Sequence, residues 1–164
     1  MPPLIKSEFP PLLVPGLHNR TVTELKQLCV TGFANSATRG SIMLGLEDVV
    51  TRLCGAALAG EIWIDGSFLT QKLDPEDVDM AFGVPHQLYD NGSPEQKQTL
   101  EWFVQSNLKS SHHCDTYIWF EYPLGHPMHA QTLDKRNYWQ RHFGFSRRLE
   151  AKGIAVILIP DGAI

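Results

Sequence analysis

Glu61 to Phe82 reads "EIWIDGSFLTQKLDPEDVDMAF", and this stretch decides the fold. "EIWI" is short, β-branched and aromatic and halts at Gly66, and "VDMAFGV" resumes after an Asp74-Pro75 loop and halts at Pro85. Both segments have the composition of inner strands. Yet Asp65, Asp74, Asp77 and Asp79 lie within or between them. Residues two apart in a strand share a face, so Asp77 and Asp79 stand side by side while Val78 and Met80 turn inward. Two such carboxylates repel unless they share a proton or a divalent cation sits between them, and hard oxygen ligands on a rigid strand suit Mg²⁺. Gly66 and Ser67 supply a second half: glycine lets a ligand approach the backbone, and the serine hydroxyl and amide hold a phosphate. Together they describe a metal-phosphate site.

The flanking sequence predicts a mixed α/β (α+β) domain. Residues 1–20 carry five prolines within "MPPLIKSEFPPLLVPG", which predicts an extended arm, docked by Leu12, Leu13 and Val14, rather than a helix or inner strand. Residues 21–164 then form one domain. Thr21 with Glu24 is a capping-box signature and opens a first helix. Apolar residues at three- and four-residue steps predict a second helix over Ser41 to Ala59. Ser93, Pro94 and Gln96 start a third that runs to about Leu108. "CDTYIWFEY" is a further strand, Asp134 to Phe143 a helix, and "GIAVILI" at Gly153 to Ile159 the last strand. The expected architecture is a mixed central sheet with helices packed against it.

Composition bounds the function. With 164 residues, 43% hydrophobic and 20% charged, the chain has the make-up of one ordinary globular domain. Its apolar runs fall short of the roughly 18 residues of a membrane span, and its proline-broken start is unlike a signal peptide, so a cytoplasmic protein with no membrane partner is expected. A net charge of -4 argues against broad duplex binding. Cys29, Cys54 and Cys114 are odd in number, lack CxxC spacing and read as reduced core thiols. His112-His113-Cys114 and His126-x-x-His129 lack the frame of a zinc site. Trp63, Trp102, Trp119 and Trp139 are expected to fill the core. Lys135, Arg136, Arg141, Arg147, Arg148 and Lys152 hold six of the 14 basic residues and serve either phosphates or a solvated face. Asp65 and Asp74 are read as structural, the latter at a turn start.

Gly-Ser followed, with nine residues between Ser67 and Asp77, by Asp77-Val78-Asp79 with apolar neighbours resembles the signature of the polymerase-β-type nucleotidyltransferase superfamily. More narrowly, "IWIDGSFLTQKLDPEDVDM" with "PGLHNRTVTEL" and "FGFSRRLEAKGIAVILI" resembles a group of small bacterial nucleotidyltransferase-like proteins over nearly the whole chain. Asp65 departs from the superfamily pattern, which has an apolar residue before the glycine. The resemblance implies a minimal nucleotidyltransferase palm in which Asp77 and Asp79 bind two Mg²⁺ (or Mn²⁺) ions. Asp115 is implied as the third carboxylate, with Glu121 as the alternative, and Gly66 and Ser67 as holders of the triphosphate. The implied enzyme moves a nucleoside monophosphate from a nucleoside triphosphate to a hydroxyl on a protein, RNA or small molecule, with a partner protein or self-association completing the site. The alternative it implies is a non-catalytic component of a toxin-antitoxin or phage-defence pair.

Overall fold

Alternation along each strand sorts the side chains of the sheet into two unlike rows. The computed structural model describes residues 6–159, so residues 1–5 of the expected arm and 160–164 of the expected domain lie outside the described residues. Five strands, β1 (Gly16–Asn19), β2 (Gly60–Asp65), β3 (Val78–Pro85), β4 (Cys114–Glu121) and β5 (Gly153–Ile159), form one mixed sheet in the order β1-β5-β2-β3-β4. β2 runs antiparallel to both β3 and β5, while β3 with β4 and β1 with β5 are parallel. The four strands expected from sequence therefore share one sheet. Part of the arm adds a fifth, at the edge, where an extended segment can join without an inner strand's full ladder. Leu13 is buried, whereas Val14 is 70% exposed and does not dock.

One row, with Ile62, Ile64, Met80, Phe82, Val84 and Ile157, belongs to the main core. Helix α2 (Arg39–Gly55) buries Ile42, Leu46, Val49, Val50 and Leu53 in the same cluster, and α4 (Pro94–Gln105) adds Leu100 and Phe103. The cores join because both helices present apolar residues at helical spacing to a largely apolar face, on which Thr116 donates its hydroxyl to Phe103 O of α4. Helix α1 (Val22–Lys26) opens on the Thr21–Glu24 capping box and continues as a wide π-helical turn over Gln27–Thr31. A short helix, α3 (His86–Asp90), leads to α4, whose Ser93–Gln96 capping box is also formed.

Three helix boundaries differ from the periodicity, each for a local reason. α2 starts two residues before Ser41 and stops at Gly55, because Ala57 turns left-handed (φ 55°). The third predicted helix breaks: Asn107 adopts φ 50°, a conformation asparagine tolerates, and α5 (Leu108–His112) follows as a separate piece. α6 (His129–Phe143) begins five residues before Asp134. Its first turn is held by side chains, with Tyr122 N donating to Thr132 Oγ1 (2.7 Å) and His129 Nδ1 bonded to Tyr122 O (2.8 Å), which hydrophobic spacing does not register.

The other row carries Trp63, Ala81, Trp119 and Val156, covered by Trp139 and Phe143 of α6. Trp63 and Trp119 meet edge to face at 5.1 Å, and Gly83 has no side chain because the Trp119 ring fills that space. Three of the four tryptophans are buried as expected, and Trp102 is half-buried. Among the described residues, no helix is long and apolar enough to cross a membrane.

Candidate active site

Register, rather than proximity in sequence, gathers the acids. Asp65 pairs with Asp79 across β2 and β3, and Asp79 with Asp115 across β3 and β4, so three aspartates stand in one row at the end of the tryptophan-bearing face. Asp77 precedes β3 on the same side as Asp79. Val78 and Met80 between and after them are fully buried on the opposite face, as the alternation predicts.

The turn after β2 is shaped around this row. Gly66 has φ +89°, and a Cβ there would lie 2.7 Å from Asp79 Oδ2. The space that glycine was expected to open for a ligand is therefore filled by the Asp79 carboxyl itself. Any side chain at position 66 would be strained in its backbone and would push the acid away. Ser67 begins a 3₁₀ turn over Ser67–Leu69 and is half-buried, its carbonyl accepting from Thr70 Oγ1 at 2.7 Å. From behind, Arg39 grips the chain beyond the turn: it is fully buried and donates to the carbonyls of Cys29, Phe68, Thr70 and Lys72.

Two lysines meet the acids. Lys109, on α5, places Nζ 3.2 Å from Asp77 Oδ2 and 3.8 Å from Asp115 Oδ2. The helix break at Asn107 separates α5, which carries Lys109, from α4. Lys152, one residue before β5, has Nζ 2.7 Å from Asp65 Oδ2. Tyr117 donates its hydroxyl to Asp115 Oδ2 at 3.0 Å. Asp65 is only 2% exposed, and its other oxygen, Oδ1, is buried with no hydrogen-bond partner.

The electrostatics follow from this crowding. Burial, followed by the charges of Asp77 and Asp115, pushes Asp79 up to about 6. Burial pushes Asp65 up to about 7 against the opposing pull of Lys152. The Lys109 ammonium is raised by its bond to Asp77 and by the charges of Asp77 and Asp115. Burial, with the Asp115 hydrogen bond, pushes Tyr117 up to about 12. Burial also pushes the Cys29 and Cys114 thiols up to about 12, which leaves them protonated core groups, as expected, and poor nucleophiles.

The donor set suits a hard divalent ion in kind: it is all oxygen, one buried oxygen lacks a partner, and Asp79 carries like charges on either side. Among the described residues no three carboxylate, imidazole or thiol groups are gathered closely enough to hold a metal ion, and two lysines stand among the acids. Glu121 is at the far end of β4, about 20 Å along the strand from Asp115. There it accepts from Trp119 Nε1 and pairs with Arg136, beside a cleft of about 470 Å³.

Asp65 and Lys152 are the residues that sequence reading undervalued. The signal was present: Glu61, Trp63 and Asp65 alternate with buried Ile62 and Ile64, which sets Asp65 on the Asp79 face and calls for a cation nearby. Nothing in the spacing could have found Lys109, because the α4–α5 break delivers it. Asp74, by contrast, is structural as read, accepting from Ala37 N at 2.7 Å and Ser36 Oγ at 3.1 Å.

Fold and site together define a mixed α+β domain whose sheet bears a part-buried acid row beside a Gly-Ser turn. The chain belongs to the family of unknown function DUF6932, whose model matches residues 7–158. No curated protein and no solved structure matches it.

Proposed function

We propose that this protein is a metal-dependent nucleotidyltransferase that moves a nucleoside monophosphate from a nucleoside triphosphate to a hydroxyl acceptor on a protein, RNA or small molecule. The observation that carries the reading is the register that sets Asp79 beside Asp115 and against Gly66 of the Gly-Ser turn. Asp77, Asp79 and Asp115 would hold Mg²⁺ or Mn²⁺. When bound, such ions stabilise charge on the entering and departing oxygens of an in-line displacement. The Ser67 hydroxyl and amide, at the start of the 3₁₀ turn, hold the triphosphate tail. Tyr117 orients Asp115, which takes the proton of the acceptor hydroxyl as its oxygen attacks the α-phosphorus and pyrophosphate departs. Lys152 offsets part of the burial penalty on the Asp65 charge and fixes its carboxyl beside Asp79.

A second reading, a binding-only component of a toxin-antitoxin or defence pair, draws on the two lysines that already neutralise the acids. A transfer assay with each labelled nucleoside triphosphate against cell extract, with and without Mg²⁺ or Mn²⁺, separates the two: label enters an acceptor only under the first. Melting curves test the site itself. At a hundredfold excess over its dissociation constant, an ion stabilises the wild type by about 2.7 kcal/mol, and Asp77→Asn with Asp79→Asn removes that shift. An equal shift in both proteins would mean that these aspartates are not the metal ligands.

A further inference from the structure

The acid row holds two ammonium groups in unlike settings. Lys152 is 16% exposed and touches a carboxylate that is nearly sealed from solvent. Removing it leaves the nearly sealed Asp65 carboxyl without its cation, which is strongly unfavourable. Lys109 is 59% exposed and spans Asp77 and Asp115, both of which reach solvent. Withdrawing it costs little, because an exposed ion pair gains little over hydration. Independently of the acids' number, the orphaned Asp65 Oδ1 marks the row as short of a cation or donor even with both lysines in place.

We propose that Lys109 is a displaceable occupant of the cation position between Asp77 and Asp115, swinging out when a divalent ion enters, whereas Lys152 stays on Asp65 throughout. This rests on the reading of Asp77, Asp79 and Asp115 as metal ligands and adds to it the regulation of the same site. Lys109 stands 3.2 and 3.8 Å from the two oxygens that a shared ion must reach, so ion and ammonium exclude each other. Its stem rises from the exposed side of α5 and can rotate into solvent without moving the helix. The protein thereby keeps its repelling carboxylates neutralised while metal is scarce, and the metal-binding curve records a competition with the chain's own side chain.

Calorimetric titration with Mn²⁺ alone, on wild type, Lys109→Met and the exposed control Lys97→Met, tests the competition. The Lys109 variant is expected to bind Mn²⁺ about two- to fivefold more tightly than wild type, and the control is expected to match wild type. In parallel, ¹³C-dimethylated lysines are followed by NMR as Mg²⁺ is added. The Lys109 signal, assigned by its loss in the variant, should move to the position of free lysines while that of Lys152 stays. Equal Mn²⁺ affinity in wild type and Lys109→Met, or a Lys109 signal unmoved at Mg²⁺ saturation, overturns the displacement and leaves the metal site standing. Absence of Mn²⁺ binding in every protein overturns the metal site and the displacement together.

Discussion

Arg39, buried, and Lys152, half-buried, are cations next to the same Gly-Ser turn, one gripping the chain after it and the other the strand before it. Their surroundings are opposite in kind. Arg39 uses all of its donors: Nε reaches Lys72 O at 3.1 Å, Nη1 reaches Cys29 O and Phe68 O, and Nη2 reaches Thr70 O and Lys72 O at 2.6 Å each. The Phe33 ring caps the guanidinium at 3.7 Å. Lys152 and Asp65 instead form a single contact and leave Oδ1 without a partner. A polar group with every bond made holds shape, and one left incomplete inside a fold is where binding chemistry is to be sought.

The comparison breaks most visibly at Arg39. Arg39→Met should lower stability by about 4 kcal/mol, since three buried carbonyls and one part-buried carbonyl lose their donor, each at a cost of about 1 kcal/mol or more. Arg39→Lys should recover little, because an ammonium cannot span them. Urea unfolding checks this, and a loss below about 1 kcal/mol would remove Arg39 as the brace of the turn.

Lys152→Met should cost about 3 kcal/mol at pH 8 by stranding the Asp65 charge. The cost should shrink at pH 5, where Asp65 takes up a proton, and adding Asp65→Asn should restore most of the loss. A double-mutant cycle in which the two effects simply add would show that the pair is not coupled.

Asp79 sets a pH dependence of smaller size. Its folded pKa of about 6 lies above its ordinary value of 3.8, so the folded protein holds the proton more tightly than the unfolded chain. The resulting stabilisation is present below about pH 4 and is lost as pH rises through about 6. Relative to wild type, metal-free Asp79→Asn should therefore gain about 2 kcal/mol between pH 4 and pH 8, read from melting curves across that range. A flat difference would mean that neither burial nor the neighbouring acids hold the Asp79 proton in the folded protein. Smallest of all, Lys109→Met should change metal-free stability by less than about 1 kcal/mol, although Lys109 touches two acids where Lys152 touches one.

Much of the architecture was legible because it rests on periodicity. The alternation in "DVDM" set Val78 and Met80 on one face and Asp77 and Asp79 together on the other. Capping at Thr21 and Ser93 fixed two helix starts to the residue. What escaped depends on geometry that a linear pattern does not contain: the left-handed residues Ala57 and Asn107, and the side-chain anchors of α6. The site divides in the same way. Asp77, Asp79, Gly66 and Ser67 lie within one motif, and Asp115 follows from the next strand, whereas Lys109 reaches the row through the helix break at Asn107 and Lys152 from a segment far along the chain. Glu121 was a fair alternative until strand direction placed it at the other end of β4.

The strand order also bears on how the chain assembles as it is made. β5 is inserted between β1 and β2, and Gly16 pairs with Gly153, so the earliest and latest strands of the described chain meet side by side. Until β5 emerges from the ribosome, β2 has an open edge and β1 has no neighbour in the sheet. Such distant pairing is slow to close and leaves the nascent chain prone to mispairing. Lys152 arrives with that same strand, so Asp65 lacks its counter-ion until the final insertion. The acid row is thus completed at the moment the sheet is, and a nascent chain stalled before residue 152 carries neither.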